Sequence, residues 1–207
     1  SSVAGDRRIY FQSYVDYMNK FGNHNVSGML LWNIDQYDNN APGNLVASLP
    51  RRKMGFAGRL SYDYDNRYMF EVNAGYNGSE NFAKGHKWGF FPSVAVGWNV
   101  SQENFFEPLK DVISNLKLRA SYGLVGNDQL LDSSGGLIRF IYMSDITLQS
   151  ENAGFTTGDK QQITLNGPVY TRYQNNDLTW EVGEKLNVGF DMQLFNSLNV
   201  TVDAFRE

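Results

Sequence analysis

Two histidines, His24 and His86, are the first residues to test for acid–base chemistry. His24 falls in KFGNHN, a turn signal between two apolar runs, and His86 lies in a polar loop. No HExxH pair and no G-x-S-x-G elbow sets a zinc ion or a nucleophile beside either one. Glu181 and Glu184 offer two carboxylates, but in an extended strand a separation of three sends them to opposite faces, so no general acid–base dyad follows. Asp35 and Asp38 in DQYDNN bring the oxygen ligands that hard cations prefer without the spacing of a calcium loop, and read as a solvated loop. The chain has no cysteine, which removes thiolate nucleophiles, thiolate metal sites and disulfides together. P-loop and G-x-G-x-x-G patterns are absent, so no nucleotide cofactor is expected and no enzyme site can be assembled. Four N-x-[ST] sequons, at Asn25, Asn77, Asn99 and Asn199, read as coincidence at this asparagine content. What remains is the chemistry of surfaces, with rings that can stack and polar groups that can hydrogen-bond a cargo.

Composition narrows the elements that carry these surfaces. The 207 residues hold 18 Lys and Arg against 22 Asp and Glu, a formal charge of −4, which gives no electrostatic footprint for nucleic acid. Aromatics make up 14% of the chain and glycine is plentiful at 20 residues. No apolar run approaches the roughly 18 residues of a spanning helix, so a helical membrane protein is excluded. A transmembrane β-barrel escapes that test, because half of each strand faces a polar lumen and dilutes the hydropathy.

Period-2 alternation organises the sequence. Phe56, Leu60, Tyr62 and Tyr64 share a face opposite Ala57, Arg59, Ser61 and Asp63; a turn at Asp65 and Asn66 follows, and Tyr68, Phe70, Val72 and Tyr76 then oppose Glu71, Asn73 and Asn77. The texture recurs at 7–18, 25–35, 93–100, 116–125, 178–194 and 198–206, giving about eight strands of about 9 to 12 residues, near the length a tilted transmembrane strand needs. Turns at 20–24, 65–66 and 195–197 are short, whereas 36–53, 78–92 and 126–177 are long and polar; 101–115 lies on the short side and is expected to hold a short helix after Pro108. Tight turns at one end and long loops at the other fit an outer-membrane barrel, with Tyr62, Tyr64 and Tyr68 in one aromatic girdle and Tyr76, Phe90, Phe91 and Trp98 towards the other. A soluble β-sandwich binding module or adhesin remains open on pattern alone.

Residues 50–127 carry a more specific signal: GRLSYDYDNRY, GYNGSENF, GFFPS followed by GW, and LKLRASYGLVGN, in that order. This stretch resembles the barrel of the SusC/RagA family of TonB-linked outer-membrane proteins of Bacteroidetes, and LTWEVGEKLNVGFDMQLFNSLNVTVDAFRE is similar to that family's next hairpin. The resemblance implies an all-β fold, an antiparallel transmembrane β-barrel segment of about eight strands from a barrel of 22, with long extracellular loops and a multi-pass place in the bacterial outer membrane. It further implies an importer of glycans or peptides, energised by the TonB complex and capped by a SusD-like surface lipoprotein. Residues 1–207 then form part of one barrel domain, as an interior fragment without the plug or the TonB-contacting N-terminal part.

Within that frame Arg59, Glu71, Arg119, Glu181 and Lys185 fall on lumen faces. Trp88, Phe90 and Phe91 in the shared GFFPS region read as structural anchors. Cargo choice is expected where the family pattern lapses, at 36–49 and 128–177. In the second of these, Tyr142, Phe155, Tyr170 and Tyr173 sit among Asp, Asn, Gln and Thr and are the candidate cargo or partner contacts.

Overall fold

A computed structural model of the chain describes residues 5–39, 49–131, 135–160 and 163–207. Alternation becomes pairing in a single antiparallel sheet of eight strands: β1 (Asp6–Phe21), β2 (His24–Asn39), β3 (Arg51–Tyr64), β4 (Tyr68–Ser79), β5 (Trp88–Asn99), β6 (Ile113–Asn127), β11 (Glu181–Leu194) and β12 (Leu198–Arg206), in that spatial order. Between β6 and β11 the chain makes two small hairpins, β7 (Leu130–Leu131) with β8 (Leu137–Ile138), and β9 (Asp145–Thr157) with β10 (Ile163–Arg172). The segment from 128 to 177, expected as an unstructured loop, is therefore partly folded. Its β-rich runs ITLQS and TLNGPVY are short and interrupted, which hid them from a period-2 reading.

Tight turns set the register. At 65–66 and 195–196 both central residues have left-handed backbone (φ 54 and 55, then 50 and 56), and Arg67 N–H and Ser197 N–H close the turns onto Tyr64 and Leu194 carbonyls. Turns of this hand match the twist of paired strands. From β2 onwards even residues pair with even, as in Val72 with Val94 and Val188 with Ala204, so one face collects the apolar side chains. In β1 the parity inverts across the two-residue turn at 22–23, and Phe11 and Val15 pair with Ile34 and Leu30 on that same face.

The strands run longer than expected, 16 residues each in β1 and β2, because pairing continues past the last apolar residue through charge. There the Arg8 guanidinium grips Asp35 bidentately, Nε to Oδ1 at 2.8 Å and Nη2 to Oδ2 at 3.0 Å. Asp35 is thus a strand residue with an ion partner rather than a loop ligand.

The apolar face stays uncovered: Leu30 is 72% exposed, and Leu60, Phe70, Val96 and Val188 are exposed with it. A soluble sandwich would bury this face, so the sandwich reading fails on burial. Buried hydrophobic residues are instead found in the connections, at Phe82, Ala83, Val100, Phe106, Phe140 and Ile141. Among the described residues no helix is long and apolar enough to cross a membrane. The expected helix after Pro108 is instead a 3-10 segment, Asn104–Leu109, with Pro108 inside it.

The chain divides into two compact units. The sheet unit comprises Ser1–Gly78, Trp88–Asn127 and Trp180–Glu207, and the loop unit Ser79–Lys87 and Asp128–Thr179.

Candidate functional site

The polar face of the sheet shows what its ionic residues do. Ser61 hydroxyl donates to Glu71 at 2.9 Å, Asn73 amide donates to Glu71 at 2.8 Å, and Arg59 Nε reaches Asn73 at 3.3 Å. Arg119 bridges Asp203 at 2.7 Å and Asp191 at 3.5 Å, and Asn127 donates to Glu181 at 2.9 Å. Glu184 pairs with Leu124 and so faces the other way from Glu181, as its spacing requires. Apart from the Asn73–Glu71 bond, which lies along β4, these contacts join different strands on one face; cross-strand pairs of this kind are each worth roughly 0.2–1 kcal/mol, and together they form a polar wall rather than a reaction centre.

Opposite them lie two aromatic belts. One runs across the first five strands: Phe11 meets Trp32 edge-on at 5.5 Å, Trp32 stacks on Phe56 at 6.5 Å, and Trp88 stacks between Phe56 at 6.4 Å and Tyr76 at 4.7 Å. The other gathers His24, Tyr62, Tyr64 and Tyr68, with Tyr64 and Tyr68 stacked at 6.5 Å and His24 Nδ1 2.8 Å from the Tyr62 hydroxyl. Along β4 the belts are eight residues apart, about 26 Å of strand and about 20 Å of height at a tilt of 40°.

Two expected girdle members belong elsewhere. Trp98 pairs with Tyr68 and joins the belt at the short-turn end, because β5 runs antiparallel to β4. Phe91 has odd parity and lies on the polar face, its ring edge-on to Trp180 at 5.2 Å. A Cβ at Gly126 would overlap that ring, so glycine there lets Phe91 lie flat on the backbone. Trp180 falls just ahead of β11 rather than inside the strand expected over 178–194, and its contact with Phe91 is not legible from alternation.

The loop unit is built around a polar latch. Ser79 Oγ donates to Asp128 Oδ2 at 2.7 Å, Asn81 Nδ2 donates to the Asp128 carbonyl at 2.9 Å, and Asn81 N–H returns to Ser79 Oγ at 3.2 Å. All three residues are buried, beside Phe82 at 2% exposure and the buried Phe140 and Ile141. Arg172 ties the base of the β9–β10 hairpin to this core by donating to the Met143 carbonyl at 3.0 Å. GYNGSENF and VGND had shown a family pattern in the sequence without showing that Ser79, Asn81 and Asp128 meet; a 49-residue separation hides that contact.

The four candidate contacts fall into two groups. Tyr170 and Tyr173 stack at 5.3 Å with planes 14° apart, and Tyr173 is 76% exposed. Tyr142 is half-buried, edge-on to Phe140 at 6.5 Å, and its carbonyl accepts from Asn175 N–H at 3.3 Å, which keeps it at the same hairpin base. Phe155 pairs with Leu165 towards the far end, nine positions along β9 from the partner of Tyr170, roughly 30 Å of extended chain. The loop unit therefore presents an aromatic base and a separate apolar tip. Of the other expected cargo region, residues 40–48 lie outside the described residues.

Residues 2–207 match the family described as TonB dependent receptor-like, beta-barrel. The chain belongs to that family. TonB-dependent receptors are transporters of the outer membrane rather than enzymes, and the SusC/RagA resemblance is supported by individual relatives. TonB-dependent receptor SusC of Bacteroides thetaiotaomicron is 33% identical over 69% of this chain, and TonB-dependent receptor P3 of Formosa agariphila 29% identical over 94%. The chain spans 13% and 20% of those two proteins. Among solved structures, the RagAB peptide transporter superposes with a TM-score of 0.72 over 97% of this chain and 23% of its own, at 19% identity. The uncovered apolar face and its two belts suit an outer-membrane barrel of that family, a barrel that these eight strands leave open.

Proposed function

We propose that this receptor section belongs to an active importer of large nutrients, glycans or peptides, energised by TonB and working with a SusD-like lipoprotein on the cell surface. The 207 residues supply part of the barrel wall of one barrel domain, and the short turns at 22–23, 65–67, 100–112 and 195–197 face the periplasm. The long connections then face outward, and the loop unit takes part in holding cargo or the lipoprotein.

The observation that carries this reading is the loop unit itself. It has a buried core and latch where a passive rim loop needs none, and on that scaffold it holds Tyr170 and Tyr173 as an exposed stacked pair. Rigid aromatic faces bind sugar C–H surfaces and apolar peptide side chains at small entropic cost. Tyr142 lies at the same hairpin base, and Phe155 offers a separate apolar contact towards the hairpin tip. The SusC relative supports the TonB-dependent receptor class, and the protein of like fold is a peptide transporter.

Deletion of residues 145–165 in the intact parent protein should leave barrel assembly unharmed and reduce cargo uptake or lipoprotein association. Unchanged uptake and association would reject the role of the loop. Protease cleavage of this loop only from the periplasmic side would reject the orientation.

A further inference from the structure

The connection between β5 and β6 is the long member of the short-turn end. It folds into two 3-10 segments, Val100–Gln102 and Asn104–Leu109, and its route is fixed by Glu103 between them. Glu103 Oε1 accepts from the Tyr68 hydroxyl at 2.6 Å and from Trp98 Nε1 at 3.2 Å, while Arg67 Nη1 stands 3.8 Å from Oε2. Tyr68 and Trp98 lie on the lipid-facing side of the sheet, so the connection passes on that side at Glu103.

Beyond this clamp the segment buries Phe106 at 3% exposure but leaves Phe105 exposed at 65%, with Leu109 and Val112 exposed after it. The next turn joins the same surface, because Phe195 N–H donates to the Val112 carbonyl at 3.0 Å. Phe195 is 63% exposed and has φ 50, a backbone region in which a bulky residue is strained and glycine or asparagine is relaxed. A strained turn that also wets a phenylalanine is disfavoured twice in water, and only once if the ring has an apolar medium to enter.

We propose that residues 100–112 and the 195–197 turn form an interfacial foot, seated in the headgroup–acyl boundary of the phospholipid leaflet at the short-turn end. Phe105, Leu109, Val112 and Phe195 enter the acyl region, and Glu103 locks the foot to the aromatic belt. Continuity with the lipid-facing wall selects lipid as the occupant: the clamp residues Tyr68 and Trp98 are themselves members of that wall. Such segments bind by the apolar area they bury while their charged residues stay in the headgroup layer, as Glu107 and Lys110, paired at 2.7 Å, are placed to do. Naming the leaflet as periplasmic rests on the orientation proposed above; the seating in lipid does not.

The test uses the full-length parent in a cysteine-free background, reconstituted in phosphatidylethanolamine–phosphatidylglycerol vesicles, with single nitroxide labels at positions 105, 107 and 109. The ratio of oxygen to aqueous nickel-chelate accessibility should be several-fold higher at 105 and 109 than at 107. Nickel-dominated access at 105 and 109 would overturn the foot in favour of a solvated turn. Low access to both reagents would overturn it in favour of a protein neighbour. Labels at 70 and 71 separate the two readings: a lipid-to-lumen alternation there upholds the barrel wall even if the foot fails. Retained heat-modifiable migration on gels shows that each labelled protein is folded.

Discussion

The sheet and the loop unit solve opposite problems. The sheet gathers most of its large apolar side chains on one face, which no described residue covers, and sets polar partners across from one another on the other. The loop unit does the reverse, enclosing Phe82, Phe140 and Ile141 with a hydrogen-bonded Ser79, Asn81 and Asp128 among them. One region leaves its apolar face for a barrel's surroundings to cover, and the other carries its own core. Stability is therefore local in a barrel of this kind. Changes to the wall should register as cost of lipid exposure, and changes to the loop unit as loss of packing.

Packing gives the largest expected effect. Phe82→Ala empties the centre of the loop core and should destabilise that unit by about 3–5 kcal/mol, the range for a buried phenylalanine. Limited proteolysis of the parent protein should cut within 128–179 while the barrel keeps its heat-modifiable migration. Simultaneous loss of the barrel would show that the two regions are one cooperative unit and would end the comparison.

The wall is tested by a pair of neighbours. Val94 pairs with Val72 midway between the belts, and Ala95 beside it faces inward opposite Glu71. Val94→Arg should cost about 2–4 kcal/mol in a bilayer, the figure for arginine at the midplane, while Ala95→Arg should cost little because it meets a carboxylate and the lumen. Equilibrium unfolding of the reconstituted parent protein measures both. Equal costs at the two positions would contradict the assigned faces.

How much of this was legible beforehand follows from the same contrast. The wall repeats every two residues, so the face of Phe70 or Glu71 can be read from a few neighbours, and the eight strands were visible as alternation. Strand ends were less visible, because pairing outlasts the apolar pattern wherever charges such as Arg8 and Asp35 take over. Trp98 and Phe91 were misassigned for different reasons. The level of a residue depends on counting back from the correct turn, and its face depends on parity, which proximity to other aromatics cannot replace. The latch was invisible, since Ser79 and Asp128 are brought together by a fold and not by a period. The candidate aromatics of the loop were recognised by type, and only the hairpin register shows that Phe155 stands apart from Tyr142, Tyr170 and Tyr173.

The smallest expected effect sits at the clamp, where the wall meets the short-turn connection. The Tyr68 hydroxyl, and after it the Trp98 indole, hydrogen-bond the Glu103 carboxylate and hold its pKa below the usual glutamate range, with Arg67 adding to the same direction. A depressed carboxylate favours the folded arrangement while ionised. The clamp's contribution is therefore complete above the ordinary glutamate value of about 4.3 and is lost as pH falls through the lower folded value. Because the group is in contact with solvent, the effect is modest and confined to its neighbourhood. Hydrogen exchange in the reconstituted parent protein should show backbone amides of 100–112 losing protection on acidification before those of the β4–β5 ladder do. Glu103→Gln keeps the shape and removes the titration, so protection in the variant should be lower at neutral pH and flat through the acid range. An unchanged acid profile in that variant would place the titrating group elsewhere and detach the connection's stability from the clamp.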